Sequence, residues 1–385
     1  MNILLCYRLH QFKEEIVPKL IKYKDDIIYL VAGSNNDKEL IGHMLRLGKI
    51  NKTNIKIYSV QEVLNGDLDS MKFDNIVGNP PYQIPVGEGN KTKTIWDTLT
   101  VKFFSLLKDK GEMSLIHPGS WRFANNPSAN NNTMKVKNIY QNNLVTYAEF
   151  NDINKGYETF NANTDYDVIT VIKGLKPNHI NVITNSENIS IILGDYMVIP
   201  TDKISLFDKL RGEKDDKKVK LINNSNYHTS NGGDNCRVRK EKDSIYQYPV
   251  VDRIPQKEGV KFFYSRVKDN GHFSVPKLIL AKAGFKSLLD LEGNYGMTQF
   301  CAGYVDKPEN LIKIQKVVEA IFPKLKASFG GIGGTNLNAV IDAQGTMFKF
   351  IKEFRKDWWK EFYTDEMEQE LIEEGVLDAN GKYIG

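Results

Sequence analysis

Residues 73–85 read Phe-Asp-Asn-Ile-Val-Gly-Asn-Pro-Pro-Tyr-Gln-Ile-Pro, an apolar strand that runs directly into Asn79-Pro80-Pro81-Tyr82. Each proline fixes φ at about −65° and removes a backbone donor, so the pattern predicts a rigid turn at a strand end. The Asn79 amide oxygen and the Pro80 carbonyl oxygen are then two acceptors able to face a ligand. Tyr82 offers a flat face for stacking. This combination suits the amino group of an extrahelical base. The alternative is a Pro-Pro turn that only ends a strand.

The tetrapeptide resembles the fourth motif of the N6-adenine DNA methyltransferases of restriction–modification systems. The resemblance implies that Asn79 and the Pro80 carbonyl hydrogen-bond the target amine and that Tyr82 stacks on a flipped-out adenine, with Pro81 in the same catalytic turn. It also implies duplex DNA as the partner, S-adenosylmethionine as the cofactor and a class I, Rossmann-like methyltransferase fold. Such enzymes belong to restriction–modification or phage DNA-modification systems.

Strand-like and helix-like segments alternate along residues 1–175. Apolar runs predict strands at 2–7, 27–32, 55–60, 75–77, 113–116, 147–150 and 168–172. Helical spacing of apolar residues predicts helices at 12–23, 38–47 and 95–107. This alternation predicts an α/β fold with a doubly wound, mostly parallel sheet. Ligands in such sheets bind at the carboxyl ends of strands, and Asn79 follows one such end.

Three regions are expected along the chain. They are a Rossmann-like methyltransferase domain over 1–175, an α+β DNA target-recognition region over 176–345 and a helical extension over 346–385. The glycine-rich stretch 328–336 lacks the strand–helix context of a nucleotide fingerprint, which favours a hinge or tight loop over a phosphate site. Trp121, in the turn after the predicted strand 113–116, is expected in the core rather than on the target base.

Composition limits the function classes. The 385 residues carry a net charge of +4, which permits nucleic-acid binding but does not by itself indicate it. Cys6, Cys236 and Cys301 are too far apart for a disulfide framework or a zinc site, so we expect no metal and a reducing, cytoplasmic location. No window approaches the roughly 18 apolar residues of a membrane span. No nuclease cluster of the Asp/Glu-x-Lys type stands out.

The cofactor motifs of the family are incomplete in this chain. By the resemblance, Glu62 is the candidate contact to the cofactor adenine, although it could be a solvated loop acid. Ala32 stands where an acidic residue would hold the ribose, and Asp37 follows it but could instead cap a helix near Lys38. No glycine follows the first strand, where Tyr7 is the third candidate contact. S-adenosylmethionine could bind in a divergent way, the donor could differ, or a partner subunit could complete the site.

Basic and aromatic residues interleave over 236–253 and 261–286, a pattern typical of phosphate contacts combined with base stacking. The candidate nucleic-acid contacts are Arg237, Arg239, Lys240, Arg266 and Lys268. An ordinary β-core would show a similar alternation. The charge run 209–220 is interpreted as a solvated face.

Three other functions stay open at this stage. The chain could be a methyltransferase-like DNA-binding or regulatory subunit that has lost cofactor binding, as the missing glycine turn and Ala32 suggest. It could be an adenine-modifying enzyme with another donor. RNA could replace DNA as the substrate.

Overall fold

The computed structural model describes residues 2–6, 27–32, 36–41, 55–86, 92–124, 131–213, 215–223, 227–229, 238–255, 259–268, 272–281, 286–329 and 346–384. The chain divides into two compact units, Met1–Thr201 and Asp202–Gly385. The predicted helix at 12–23, the glycines of 330–336, Tyr7 and Arg237 lie outside the described residues.

The first unit is built on a large mixed sheet. Its strands are β1 (Asn2–Cys6), β2 (Ile27–Ala32), β3 (Ile55–Ser59), β4 (Phe73–Gly78), β7 (Leu107–His117), β8 (Leu144–Asn151), β9 (Tyr166–Ile172), β10 (Ile180–Ile183) and β11 (Asn188–Ile191). Two short strands, β5 (Gln83–Pro85) and β6 (Thr92–Thr94), form a separate hairpin.

Within the described part of the chain, the strand order is β11-β10-β8-β9-β7-β4-β1-β2-β3. Neighbours from β3 to β7 are parallel, β9 is antiparallel to both β7 and β8, and β11 is antiparallel to β10. The prediction of a doubly wound, mostly parallel α/β sheet is confirmed. The chain order reverses at β1, since β2 lies on one side of it and β4 on the other, which places a topological switch point between β1 and β4.

Burial explains why the central strands are almost continuously apolar. Side chains of β1 from Leu4 to Cys6 and of β2 from Ile28 to Ala32 are all buried, as expected for parallel strands covered on both faces. The described helices of this unit include α1 (Val60–Asn65), α2 (Trp96–Leu106), α3 (Asn132–Asn142) and α4 (Ile153–Phe160), besides a helical segment at 36–41 and 3₁₀ turns at Gly119–Phe123 and Leu193–Asp195. Helix α2 buries Trp96, Leu99, Phe103 and Leu106, which share one face at helical spacing.

The second unit contains two small sheets. Among its described residues, β12 (Lys220–Ile222), β19 (Cys301–Val305), β16 (Lys277–Ala281) and β17 (Ser287–Asp290) form one sheet in that order. The other consists of β13 (Val238–Arg239), β15 (Lys261–Ser265), β14 (Tyr248–Arg253) and β18 (Gly296–Met297). The helices are α5 (Ile204–Leu210), α6 (Pro308–Ile321), α7 (Thr346–Ile351) and α8 (Asp365–Glu373), with 3₁₀ turns at Phe322–Phe329 and Trp358–Glu361.

Two boundaries differ from those expected from the sequence. The first unit extends to Thr201 rather than 175, because β10 and β11 add two strands to its sheet edge. Residues 346–385 cluster with the second unit, and Trp358 is fully buried there against Phe322 and Phe354. This tail forms separate helical segments rather than one helix. No helix of the described ranges is long and apolar enough to span a bilayer.

Candidate functional site

The turn after β4 is anchored to the end of β1. The Asn79 amide donates a hydrogen bond to the Cys6 carbonyl oxygen at 2.7 Å, and Gly78 pairs with Cys6 in the parallel register. A Cβ at Gly78 would overlap the Cys6 carbonyl, so the close approach requires glycine here. The turn is therefore held at the switch point of the sheet.

The Asn79 side chain is buried and incompletely hydrogen-bonded. It is only 1% exposed, and its Oδ1 atom has no hydrogen-bond partner among the described residues. A buried amide oxygen without a partner costs stability unless a ligand satisfies it. The adjacent Pro80 is also buried and brings a carbonyl but no N–H. The predicted roles of Asn79 and Pro80 as acceptors for a ligand stay predictions.

Tyr82 and Pro81 are half-buried at the outer side of the same turn. The Tyr82 carbonyl accepts a hydrogen bond from the Ile95 amide at 3.0 Å, which ties the turn to the start of α2. The β5–β6 hairpin begins directly after Tyr82. The local fold thus fixes the backbone at Tyr82 from both sides of the turn.

An aromatic stack lies beside this turn at the end of β7, the strand next to β4. The His117 ring stacks between Trp96 and Tyr140, with centroid distances of 5.1 and 5.7 Å. Its Nε2 lies 2.7 Å from the Tyr140 hydroxyl and its Nδ1 lies 3.0 Å from the Pro118 carbonyl. Burial lowers the pKa of His117 to about 4, so the ring is neutral at physiological pH.

Sequence analysis missed a buried charge cluster at the start of β9, opposite the end of β7. Arg122 Nε and Trp121 Nε1 both donate to Asp167 Oδ2, at 2.9 and 2.7 Å. Arg122 also donates to the Thr201 hydroxyl and lies 3.5 Å from Asp165. Burial raises the pKa of Asp167 to about 7, against the opposing charge of Arg122. The side chain of Trp121 is fully buried in this core, as predicted. The alternation Asp165-x-Asp167 before an apolar strand was the available signal.

Glu62 has a structural role in the first turn of α1. Its Oε2 atom accepts from the Ser59 amide at 2.7 Å while the Glu62 amide donates to the Ser59 hydroxyl, a capping box. Lys38 Nζ lies 2.6 Å from Oε1. The Lys38 hydrogen bond is the main reason that the pKa of Glu62 is lowered. The Glu62 side chain is still 31% exposed, although Lys38 Nζ donates to both carboxylate oxygens.

Among the described residues, no acidic side chain stands at the end of β2, where the cofactor ribose was expected to bind. Ala32 is buried at the end of β2, opposite Ser59 of β3, and offers no acceptor. The helical segment 36–41 begins at Asn36, so Asp37 lies in its first turn rather than before it. Asp37 is half-buried. Tyr7 lies outside the described residues.

In the second unit, the described candidate nucleic-acid contacts lie along adjacent strands. Strands β13 and β15 are antiparallel and pair Val238 with Ser265 and Arg239 with Tyr264. Lys240 follows β13, whereas Arg266 and Lys268 follow the opposite end of the pair, after β15. All four candidate side chains are exposed. The Arg239 guanidinium lies over the Tyr246 ring at 4.6 Å, and Lys268 Nζ lies over the Tyr248 ring at 5.4 Å. The predicted interleaving of cations and aromatic rings is present here. Arg237 lies outside the described residues.

No group of three or more metal-ligating side chains occurs in the ranges that the structure describes. Among the described residues, the end of β4 presents the Asn79 amide, the Pro80 carbonyl and the Tyr82 ring. The Glu62 carboxylate lies near the end of β3.

Residues 5–155 match the family of Eco57I restriction-modification methylases. The matched segment is less than half of the chain and includes the end of β1, the Asn79 turn and all strands from β2 to β8. No curated protein matches the sequence.

Several solved structures are similar to part of this chain, at low sequence identity. One is the type I restriction-modification methyltransferase subunit of Streptococcus thermophilus, which is 14% identical. The similarity covers 49% of this chain and 45% of that chain, with a TM-score of 0.35. A protein from Vibrio vulnificus assigned as a type I restriction enzyme modification subunit has 13% identity, coverages of 49% and 44% and a TM-score of 0.34. TrmN from Thermus thermophilus has 13% identity, coverages of 45% and 44% and a TM-score of 0.29. The matched region thus spans less than half of each of these chains.

Proposed function

We propose that this chain is a site-specific DNA methyltransferase that transfers a methyl group from S-adenosylmethionine to the N6 atom of a flipped-out adenine. The carrying observation is the buried Asn79 Oδ1 atom, which lacks a hydrogen-bond partner at the carboxyl end of β4. The match of residues 5–155 to restriction-modification methylases supports the reaction class. A restriction–modification or phage DNA-modification system is the proposed setting.

The Asn79 turn supplies the acceptors that this reaction needs. An adenine amine has two N–H bonds, and Asn79 Oδ1 with the Pro80 carbonyl accepts both. Accepting both bonds draws the nitrogen lone pair out of conjugation with the ring and toward the methyl donor. Tyr82 stacks on the base and Pro81 keeps the turn rigid. Catalysis is then mainly a matter of positioning, since the proton can leave after transfer.

The described residues fit S-adenosylmethionine at the same edge of the sheet. When bound, this cofactor supplies an electrophilic methyl group on a sulfonium. Cys6, Ala32 and Ser59 end the three strands on the donor side, and all three have small side chains that permit close approach. Glu62, whose carboxylate is part-exposed, is the proposed acceptor for the cofactor's adenine, with Asp37 and Tyr7 as further contacts.

The second unit is proposed to bind the DNA substrate. Arg237, Arg239, Lys240, Arg266 and Lys268 are the proposed phosphate contacts, with Tyr246 and Tyr248 beside them. Exposed cations next to aromatic rings are typical of nucleic-acid surfaces. A partner subunit that completes the cofactor site is compatible with this arrangement.

A second candidate function is a methyltransferase-like DNA-binding subunit without a cofactor. It is favoured by the Lys38 ion pair and capping box that already engage Glu62, and by Ala32 at the end of β2. Calorimetric titration with S-adenosylmethionine separates the two. The proposed enzyme gives binding heat and a raised melting temperature, whereas the second candidate gives neither.

The reaction itself is tested by digesting DNA from cells that express the protein and measuring nucleosides by mass spectrometry. N6-methyladenine above the level of an empty-vector strain is expected. Another adenine adduct would indicate a different donor. Methylation of structured RNA but not duplex DNA in vitro would replace the substrate class.

A further inference from the structure

A lysine-lined groove lies in the second unit. It is distinct from the exposed side chains of Arg239, Lys240, Arg266 and Lys268, which we call the Arg239–Lys268 surface. The lining residues of the groove come from three segments, within 216–220, 304–310 and 355–360, together with Pro276. It consists of two adjoining hollows of about 670 and about 540 Å³ that share Lys217, Asp306 and Lys356. Strands β12 and β19 form part of its floor, whereas the Arg239–Lys268 surface belongs to the other sheet of this unit. We refer to this feature as the lysine groove.

Main-chain hydrogen bonds hold the three segments in place. Lys220 pairs with Val305 between β12 and β19. The Lys356 amide donates to the Lys217 carbonyl at 2.7 Å, and the Val219 amide donates to the Phe354 carbonyl at 3.0 Å. The lysine backbones are therefore ordered before any ligand binds, which lowers the entropic cost of binding.

The groove has an excess of positive charge that its own acids do not neutralise. Seven of its described lining side chains are cationic and three are acidic. Five exposed lysines have no ion-pair partner among the described residues: Lys217, Lys220, Lys307, Lys356 and Lys360.

Each of the three acids has a local hydrogen bond or ion pair. The Asp306 carboxylate accepts from the Lys307 amide and from Asn310 Nδ2 at 2.7 and 2.8 Å. Asp216 accepts from the Glu213 amide at 2.8 Å. Asp357 lies 3.7 Å from Arg355. The unpaired lysine ammoniums thus define the charge that a ligand meets.

The aromatic side chains of the groove are not available for stacking. Tyr304 and Trp359 line it but are 1% and 6% exposed. Binding of single strands depends on exposed rings on which bases stack. Lysine ammoniums without such rings favour contacts to phosphate oxygens, which fix position but do not read sequence.

From this arrangement we propose that the lysine groove binds the phosphate backbone of duplex DNA as a sequence-independent anchor. The choice of DNA as the polyanion rests on the proposed function. The charge run 209–220, interpreted from the sequence as a solvated face, contributes Lys217 and Lys220 to this anchor. The groove adds to the Arg239–Lys268 surface rather than replacing it.

The test measures duplex binding by fluorescence anisotropy over a range of KCl concentrations for the Lys217→Ala/Lys356→Ala variant. Losing two phosphate contacts should reduce the slope of log K against log[salt] by about 2 and weaken binding roughly 10- to 100-fold at 0.1 M salt. The matched control is Lys324→Ala/Lys382→Ala, which removes two exposed lysines of the same unit that do not line the groove. The control should keep the wild-type slope.

The proposal is overturned if both double variants keep the wild-type slope and affinity, if the wild type does not bind duplex, or if single strands or RNA compete as well as duplex does. The outcomes for the proposed function are separate. DNA binding through the groove without N6-methyladenine formation would reject the proposed methyltransferase function but keep the proposed DNA anchor. Methylation by the wild type, with unchanged DNA binding by the groove variant, would reject only the proposed anchor.

Discussion

The Asn79 amide donates to the Cys6 carbonyl oxygen at 2.7 Å, so the proposed base-binding turn is joined to the end of the first strand of the sheet. Cys6 is fully buried, and burial raises the pKa of its thiol far above the usual range. Its role here is therefore that of a small residue whose main chain positions Asn79. This hydrogen bond therefore joins the turn proposed to bind the target base to the strand end proposed to lie beside the methyl donor.

Gly78→Ala should disturb this junction. The added methyl would overlap the Cys6 carbonyl, and overpacking of this kind costs about 1–3 kcal/mol. Urea unfolding should show that loss in the free energy of unfolding. The methylation rate should fall by a larger equivalent in free energy, because Asn79 is displaced. The control is Gly194→Ala, where a Cβ would meet no atom closer than 3.8 Å. Equal stabilities of the two variants would contradict this account of the junction.

Tyr82 is predicted to act through its ring. Stacking of a base on an aromatic side chain contributes about 1–3 kcal/mol, so Tyr82→Ala should lower kcat/KM by roughly 10- to 100-fold. Tyr82→Phe keeps the ring and should stay within a few-fold of the wild type. Steady-state methylation of a short duplex provides the measurement. A Phe variant as impaired as the Ala variant would indicate that the ring is not the functional group.

Glu62 is predicted to contact the cofactor through its carboxylate. Glu62→Gln should weaken S-adenosylmethionine binding by roughly 10- to 100-fold, since a hydrogen bond to a charged group contributes about 1.5–3 kcal/mol. Lys38→Met removes the partner of Glu62 but leaves the carboxylate, so it should not weaken binding. Calorimetry on both variants tests this. Equal loss in the two would assign Glu62 to capping and the ion pair only.

His117 should make folding stability depend on pH. Its folded pKa of about 4 lies below the ordinary value of 6.5, so its contribution is complete above pH 6.5 and is lost as the pH falls through 4. Between pH 7.5 and 4.5 this loss amounts to about 2–3 kcal/mol.

His117→Asn removes the titrating ring and should reduce that pH dependence by the same amount. Urea unfolding of both proteins at the two pH values gives the difference, since the other titrating groups, including Asp167, are common to both. Identical pH dependence of the two proteins would show that His117 is not held neutral.

The parts of the fold that were predictable follow from local patterns. The end of β2 at Ala32 and the proline turn at Asn79 are marked by apolar runs and by residues that cannot continue a strand. The extension of the sheet by β10 and β11 was missed because Ile180–Ile183 and Asn188–Ile191 are short and owe their strand state to edge pairing.

Side-chain partnerships were harder to predict than strands. Arg122 and Asp167 lie far apart in sequence and meet only because β9 runs antiparallel to β7. The Glu62 capping box was readable from Ser59-x-x-Glu62, whereas its pairing with Lys38 depends on tertiary packing. Lys217 and Lys356 come together through main-chain pairing of distant segments, which no local pattern encodes.

The central claim is that Asn79 presents its amide oxygen to the amine of a target adenine. Asn79→Ala removes that oxygen but keeps the backbone hydrogen bond to Cys6, so the variant should fold and bind duplex DNA like the wild type. The most direct measurement is the yield of N6-methyladenine by mass spectrometry after incubation of wild type and variant with S-adenosylmethionine and duplex DNA. The account predicts methyladenine with the wild type and a loss of at least 100-fold, about 2.7 kcal/mol, with the variant. An unchanged yield from a folded Asn79→Ala variant would contradict it.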